Sequence, residues 1–101
     1  MDFTKLTHDR PGGTSLRGYL PPTSYARLVA AFGEPTTFGD GDKVQAEWVL
    51  RFSDGTLATI YDYKEIVRVE QVTDWHVGGF YGSAALARVC EALGVSPAGR
   101  R

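Results

Sequence analysis

Apolar side chains recur at helical spacing in two segments of the chain. The first segment carries one apolar stripe at positions i, i+3, i+4 and i+7, formed by Tyr25, Leu28, Val29 and Phe32. The second carries a similar stripe, formed by Leu86, Val89, Cys90 and Leu93. Thr23 or Ser24 can cap the first helix and Gly33 can end it, whereas the second helix runs from about Ser83 to Gly94. The pattern predicts two amphipathic helices.

Between the two helices the hydrophobic period changes to two. From Lys43 onward apolar residues occupy every second position, namely Val44, Ala46, Trp48, Leu50 and Phe52, which predicts a long strand with one buried face. Residues 56–63 predict a returning strand and residues 72–77 a third. Residues 14–20 predict an edge strand before the first helix. Residues 64–71 fit either a strand or a loop.

The turn between the first two of these strands contains Asp54-Gly55. A two-residue turn at this point would place Glu47 opposite Asp62, so that two carboxylates would face each other across the hairpin. A three-residue loop with Gly55 as a bulge would place Glu47 opposite Tyr61 instead. We therefore predict the three-residue loop.

The element order β-α-β-β-β-α is typical of an α+β fold. It predicts a two-layer sandwich with an antiparallel sheet and both helices on one face. Residues 14–95 would form the single domain. Residues 1–13 are predicted to be a polar N-terminal arm, and residues 96–101 a frayed C-terminal tail.

Composition narrows the classes of function. The formal net charge of -1 lacks the basic excess that nucleic-acid binding requires, so nucleic acid is not an expected partner. The single cysteine cannot form an internal disulfide or a thiolate metal site. No apolar run approaches the length of about 20 residues that spans a bilayer, and the first residues do not resemble a signal peptide. We therefore expect a cytoplasmic protein without a membrane partner.

The loop Gly39-Asp40-Gly41-Asp42-Lys43 is the segment most similar to a ligand loop. It lacks the ligand spacing of an EF-hand and the helix that follows a P-loop, so an ordinary turn is the simpler interpretation. Cys90 lies on the apolar stripe of the second helix, which predicts a buried and inert thiol. We accordingly predict no metal site, no cofactor and no catalytic residue of established type.

His76 is the residue most suited to acid/base chemistry near neutral pH. Strand alternation places it on the face opposite Trp75, toward Tyr61 and Tyr63. No nucleophile can be assigned to it from the sequence. The glycine pair that follows could permit a turn or the close approach of a ligand to the backbone.

The outer face of the hairpin combines tyrosines with charged residues, a mixture that favours recognition. The candidate residues for binding a ligand or partner are Glu47, Arg51, Tyr61, Tyr63, His76, Gly78 and Gly79. The alternative is a sheet face that is simply covered, either by residues 1–13 or by a second copy of the chain.

Three runs of the sequence, FGEP, GDGDKVQAEWVLRFSDGTLATIYDYK and TDWHVGG, carry a family resemblance. They resemble a family of small, largely uncharacterised proteins encoded by bacteriophages, notably those of actinobacteria. The resemblance extends over residues 16–94, and its most specific parts are the AEW…F-DGT-ATIYDYK hairpin and the WHVGG strand end. It implies an accessory phage protein that acts in the host cytoplasm, and it transfers no catalytic residue.

Together these observations predict a non-catalytic binding module. If a phage encodes it, the protein is expected to be an accessory or counter-defence protein that binds a host protein or sequesters a small molecule. A first alternative is a small enzyme that uses His76 with a nearby carboxylate from Asp62, Glu47 or Asp74. A second is a structural or assembly protein that oligomerises through the sheet, as in a homodimer.

Overall fold

The fold is an α+β sandwich with a five-stranded antiparallel sheet, as the order of elements predicts. The computed structural model describes residues 1–39 and 43–98. The strands are β1 (Phe3–Lys5), β2 (Ser15–Tyr19), β3 (Glu47–Phe52), β4 (Leu57–Tyr61) and β5 (His76–Gly79), and the helices are α1 (Tyr25–Phe32) and α2 (Ala85–Leu93). The strand order across the sheet is β1-β3-β4-β5-β2.

Both helices pack on the same face of the sheet. Leu28 and Phe32 of α1 join Val89 and Leu93 of α2 in one buried cluster with Trp48 and its sheet neighbours. The two tryptophans form the centre of this cluster: the Trp48 and Trp75 rings meet edge to face, with centroids 5.5 Å apart. Each indole N–H is satisfied, since Trp48 donates to the Gly33 carbonyl and Trp75 to the Thr23 carbonyl. The predicted arrangement of both helices on one face is confirmed.

Local signals set the helix ends. The Ser24 hydroxyl accepts a hydrogen bond from the Arg27 backbone N–H and caps α1. Gly33 (φ 84°) and Gly94 (φ 72°) end α1 and α2 in backbone conformations that favour glycine. The Arg27 guanidinium also donates to the Leu93 carbonyl at 2.6 Å, which joins the first helix to the end of the second.

The hairpin between β3 and β4 has the predicted register. Glu47 lies opposite Tyr61, and Gly55 occupies the turn with φ of 90°. The Asp54 carboxylate accepts hydrogen bonds from the Thr56 backbone N–H and from Arg88 of α2. These interactions lower the pKa of Asp54 to about 2. The hairpin tip is therefore held both by its own backbone and by the second helix.

Gly55→Val should destabilise the protein by about 1 kcal/mol or more, because a β-branched residue tolerates positive φ poorly. A Cβ at this position would meet no atom within 4 Å, so any loss reports backbone strain and not a clash. Urea unfolding of the variant measures it. Gly12→Val, at a glycine with similarly open surroundings and no positive φ, is the matched control. Equal stability of the two variants would contradict the bulged turn.

The first strand was not predicted from the sequence, which indicated a polar arm over residues 1–13. Phe3–Lys5 instead pairs with β3 at the edge of the sheet. Its anchor is the Phe3 ring, which packs at 5.2 Å from the Phe32 ring and 5.9 Å from the Phe52 ring. A strand of three residues is too short to show a recognisable alternation, so only its tertiary partners reveal it.

Two predicted strands begin later than expected. The long strand predicted from Lys43 begins at Glu47, because the backbone N–H groups of Gln45 and Ala46 donate to the Asp62 side chain and not to a neighbouring strand. The third strand, predicted over residues 72–77, runs over His76–Gly79 and so includes the glycines expected to end it. Residues 64–71, left open between strand and loop, contain a short 3-10 helix at Val69–Gln71.

Two sequence interpretations fall partly beyond the described residues. Asp40, Gly41 and Asp42 of the candidate ligand loop lie outside them, as do residues 99–101 of the predicted tail. The last described residue, Ala98, donates its backbone N–H to the Tyr19 carbonyl at 3.0 Å. No helix of the described chain has the length and apolar character needed to cross a bilayer.

Candidate functional site

The sheet face opposite the helices carries an aromatic row that crosses the strands. Glu47 of β3 lies opposite Tyr61 of β4, Tyr61 opposite His76 of β5, and His76 opposite Tyr19 of β2. Because alternate residues of a strand share a face, all four side chains project to the same side. The row places a carboxylate at one end and three rings along the remaining strands.

His76 lies among three tyrosine rings. Its ring centroid is 4.9 Å from that of Tyr19, 5.4 Å from that of Tyr61 and 5.8 Å from that of Tyr63. These separations are those of direct aromatic packing. Burial raises the pKa of the Tyr61 hydroxyl above its usual value, although the charge of Arg10 opposes the rise. The four rings form one aromatic cluster, here called the aromatic surface, in which the His76 plane is inclined by 37–81° to the planes of the tyrosines.

The chain between β1 and β2 covers part of this face. These two strands follow each other in sequence but lie at opposite edges of the sheet, so residues 6–14, here called the N-terminal strap, must connect the edges. Arg10 of the strap contacts both carboxylate oxygens of Glu47 through Nη1, at 2.9 and 3.2 Å. Burial raises the pKa of Glu47, and the neighbouring guanidinium partly offsets this. This ion pair, together with the hydrogen bond from the Leu6 backbone N–H to the Val49 carbonyl, fixes the strap to β3.

The strap, the aromatic surface and the neighbouring strands line a half-open pocket of about 520 Å³. Ligand pockets for drug-sized molecules span about 300–1,000 Å³, so this volume is sufficient for a small organic ligand. We call it the tyrosine pocket; the lining residues that matter below are Arg10, Tyr19, Thr59, Tyr61, Tyr63, His76 and Gly78.

A buried hydroxyl without a partner lies at the floor of the tyrosine pocket. Thr59 is fully buried, and among the residues that the structure describes its Oγ1 atom has no hydrogen-bond partner. An unpaired buried hydroxyl costs about 1–3 kcal/mol, which a hydrogen bond from a ligand would recover. Gly78 makes room beside it, since a Cβ at residue 78 would lie only 2.6 Å from Thr59 Oγ1. The floor therefore offers a polar group where the walls are aromatic.

Two of the three carboxylates considered as partners of His76 have other roles. The buried Asp62 carboxylate accepts hydrogen bonds from the backbone of Gln45 and Ala46 and from the Gln45 side chain. Glu47 pairs with Arg10 and lies two strands away from His76, a distance of about 10 Å at ordinary strand spacing. Asp74 precedes His76 by two residues on the same segment.

The structure brings four of the predicted residues together. Tyr61, Tyr63, His76 and Gly78 all line the tyrosine pocket, and Glu47 borders it through its ion pair with Arg10. Arg51 does not join them, as it lies near the β1 edge of the sheet opposite Thr4. Gly79 faces the other layer, where a Cβ would come within 2.5 Å of the Ala85 side chain.

Three of the pocket residues that sequence reasoning missed matter most for the site. Arg10 was assigned to a polar arm, and no local pattern signals a contact with a residue 37 positions away. Tyr19 would have followed from pairing β2 with β5, which places it opposite His76. Thr59 was not included in the site, because a missing hydrogen bond has no signature in sequence.

Neither metal binding nor thiol chemistry finds support in this arrangement. Among the residues that the structure describes, no three His, Cys, Asp or Glu side chains gather as metal ligands. Burial raises the pKa of the Cys90 thiol, which lies in the core between helix and sheet.

Comparison of the chain with protein-family models, with curated proteins and with solved structures gives no significant match.

Proposed function

We propose that this protein is a non-catalytic binding module whose ligand is a small molecule held in the tyrosine pocket. The observation that carries the proposal is the pocket itself, with aromatic walls and a buried, unpaired hydroxyl at Thr59. Ligand sites are usually concave and largely apolar, with a few polar groups that point toward the ligand. The rings supply contact area, and the hydroxyl supplies orientation.

The rings around His76 fit a binding role for its imidazole. Tyr19, Tyr61 and Tyr63 pack against it with centroids 4.9, 5.4 and 5.8 Å away. Two of the three carboxylates considered as catalytic partners, those of Asp62 and Glu47, are held by Gln45 and by Arg10. We assign His76 to the wall of the pocket, where it contributes a flat ring next to those of Tyr19 and Tyr61.

A concave site favours a small ligand over a host protein or a second copy of the chain. The strap already covers part of the sheet face, so oligomerisation through that face would require it to move. In the setting that the phage resemblance implies, the protein would act in the host cytoplasm by sequestering a small molecule. A host-protein partner is the competing proposal, and co-purification from host lysate distinguishes the two.

Tyr61→Ala should weaken ligand binding by about 2 kcal/mol, because a central aromatic anchor commonly contributes that amount. The ligand for this test is the compound released when protein purified from its natural host is heated. Isothermal titration calorimetry with the purified compound measures the loss. The loss of folding stability should be smaller than the loss that follows truncation of a core tryptophan, since Tyr61 is only half-buried.

Tyr81→Ala is the matched control for this experiment. Tyr81 is 90% exposed and lies outside the tyrosine pocket, with Arg17 over its ring. Its replacement should leave ligand affinity unchanged. Two results would contradict the proposal: release of no compound from the heated protein, or equal effects of the Tyr61 and Tyr81 substitutions on affinity.

A further inference from the structure

The tyrosine pocket has a cation available at one end. Arg10 uses only Nη1 to contact Glu47, and its side chain remains 50% exposed. Within the described part of the chain, its Nε and Nη2 atoms make no hydrogen bond. A guanidinium with free donors in a fork is well suited to bind a phosphate or carboxylate in bidentate fashion. An anionic group at this end would therefore meet pre-positioned donors.

The positions of the rings along the aromatic row set the length of a ligand that uses them. Glu47, which holds Arg10, lies one strand from Tyr61, two from His76 and three from Tyr19. At a spacing of about 4.8 Å between strands, the positions of His76 and Tyr19 are about 10 and 14 Å from that of Glu47. A compact aromatic acid at Arg10 reaches only the Tyr61 ring. A ligand whose ring packs on His76 and Tyr19 while its anion meets Arg10 needs a spacer between the two.

The pocket also provides polar groups for such a spacer. Thr59 Oγ1 lies at its floor without a partner among the described residues, and Thr14 also lines it. Hydroxyl groups both donate and accept, so they complement a sugar or the edge of a heterocyclic base. Tyrosine rings bind the faces of bases by stacking, which is independent of base identity.

From this geometry we propose that the tyrosine pocket binds a free nucleotide, with the base against Tyr19, Tyr63 and His76 and the phosphate at Arg10. The inference rests on the proposed small-molecule function and specifies its ligand class. A nucleic-acid strand does not fit as well. The chain has a formal charge of -1, whereas a strand is bound by many cations that neutralise successive phosphates.

Titration calorimetry with AMP, GMP, CMP and UMP tests the proposal directly. We expect at least one of them to bind, and the corresponding nucleoside to bind about tenfold or more weakly, because it lacks the group that Arg10 contacts. Added salt should weaken the binding of the nucleotide and leave the binding of the nucleoside unaffected. Inorganic phosphate and phenylacetate should bind much more weakly than the nucleotide, since neither spans the pocket from Arg10 to the His76 and Tyr19 rings.

Substitution of Arg10 separates the phosphate contact from the rest of the site. Arg10→Gln should lower nucleotide affinity about tenfold and nucleoside affinity by clearly less, while Arg10→Lys should restore part of the nucleotide affinity. The control is Arg17→Gln, since Arg17 lies outside the pocket against Tyr81. Nucleoside binding also shows that the variant pocket is folded. Equal weakening of nucleotide and nucleoside by Arg10→Gln overturns the proposal.

Thr59→Val tests the floor of the pocket by opposite effects on binding and stability. The substitution replaces the unpaired hydroxyl by a methyl group of similar size, so the melting temperature should stay the same or rise. Nucleotide affinity should fall about fivefold, the effect of one hydrogen bond. Unchanged affinity would show that the ligand does not use Oγ1, and it would overturn this part of the assignment.

The result also distinguishes failure of the ligand class from failure of the function. If none of the nucleotides binds but the heated protein releases another compound whose affinity Tyr61→Ala lowers, the nucleotide assignment is overturned and the binding function stands. If no nucleotide binds and no compound is released, both proposals are overturned.

Discussion

Trp48→Ala should lower the free energy of unfolding by about 3–5 kcal/mol, the range for truncation of a fully buried aromatic residue. The ring has no exposed surface and packs edge to face on Trp75 and at 5.8 Å from the Tyr25 ring. Its indole N–H also satisfies the Gly33 carbonyl at the end of α1. The substitution removes the contact that joins the first helix to the middle of the sheet, together with the hydrogen bond at the helix end.

Urea unfolding followed by far-ultraviolet circular dichroism measures this loss without relying on tryptophan fluorescence. Phe38→Ala is the control, because Phe38 is 62% exposed and should change stability by less than about 0.5 kcal/mol. If Trp48→Ala instead cost no more than the control, the two sheet faces would be assigned the wrong way round. Binding to the tyrosine pocket should survive in whatever fraction of the variant remains folded.

Asp62→Ala should destabilise the protein by about 3 kcal/mol, although the residue is polar. Its carboxylate has no exposed surface and accepts the backbone N–H groups of Gln45 and Ala46 at 2.8 and 3.2 Å. Alanine would leave two backbone donors without their acceptor, and each buried unpaired donor costs about 1–3 kcal/mol. The Gln45 side chain, which bonds the second carboxylate oxygen, would also lose its anchor.

Asp62→Asn separates the roles of the two carboxylate oxygens. The amide keeps one acceptor oxygen for the backbone of residues 45 and 46 and places an NH2 group against the donating Gln45 side chain. The free energy of unfolding of Asp62→Asn should therefore lie between that of the wild type and that of Asp62→Ala. Asp2→Ala, at an exposed acid, is the surface control. Chemical denaturation of the set in one buffer compares them, and equal stability of Asp62→Ala and Asp2→Ala would contradict the structural role.

The parts of the fold that sequence predicts are those with local determinants. The helices follow from stripes such as Leu28 with Phe32 and from end signals at Ser24 and Gly33, all within a few residues of each other. The hairpin register follows from avoiding Glu47 opposite a second carboxylate. The start of β3 could not be predicted, because there a side chain, that of Asp62, replaces the backbone partner of a continuing strand.

The candidate site also has parts that the sequence predicts and parts that it does not. Alternation along β4 and β5 places Tyr61 and His76 on one face, so their meeting was predictable once the strands were known. The contact of Arg10 with Glu47 depends on how residues 6–14 cross the sheet, which no periodic pattern encodes. The missing partner of Thr59 is a property of the finished packing and can be seen only in three dimensions.

The route of the N-terminal strap has a consequence for how the protein can diversify. The strap joins the two edges of the sheet across the pocket side and contributes no residue to the buried cluster under the helices. The sheet and the helices thus form a frame, and the strap is a separate loop whose Arg10 is the cation of the pocket. Under the proposed binding function, changes in the length or sequence of the strap beyond Leu6, which is hydrogen-bonded to Val49 and Thr36, would alter what is bound while the frame keeps its stability, much as antibody loops vary on a constant scaffold.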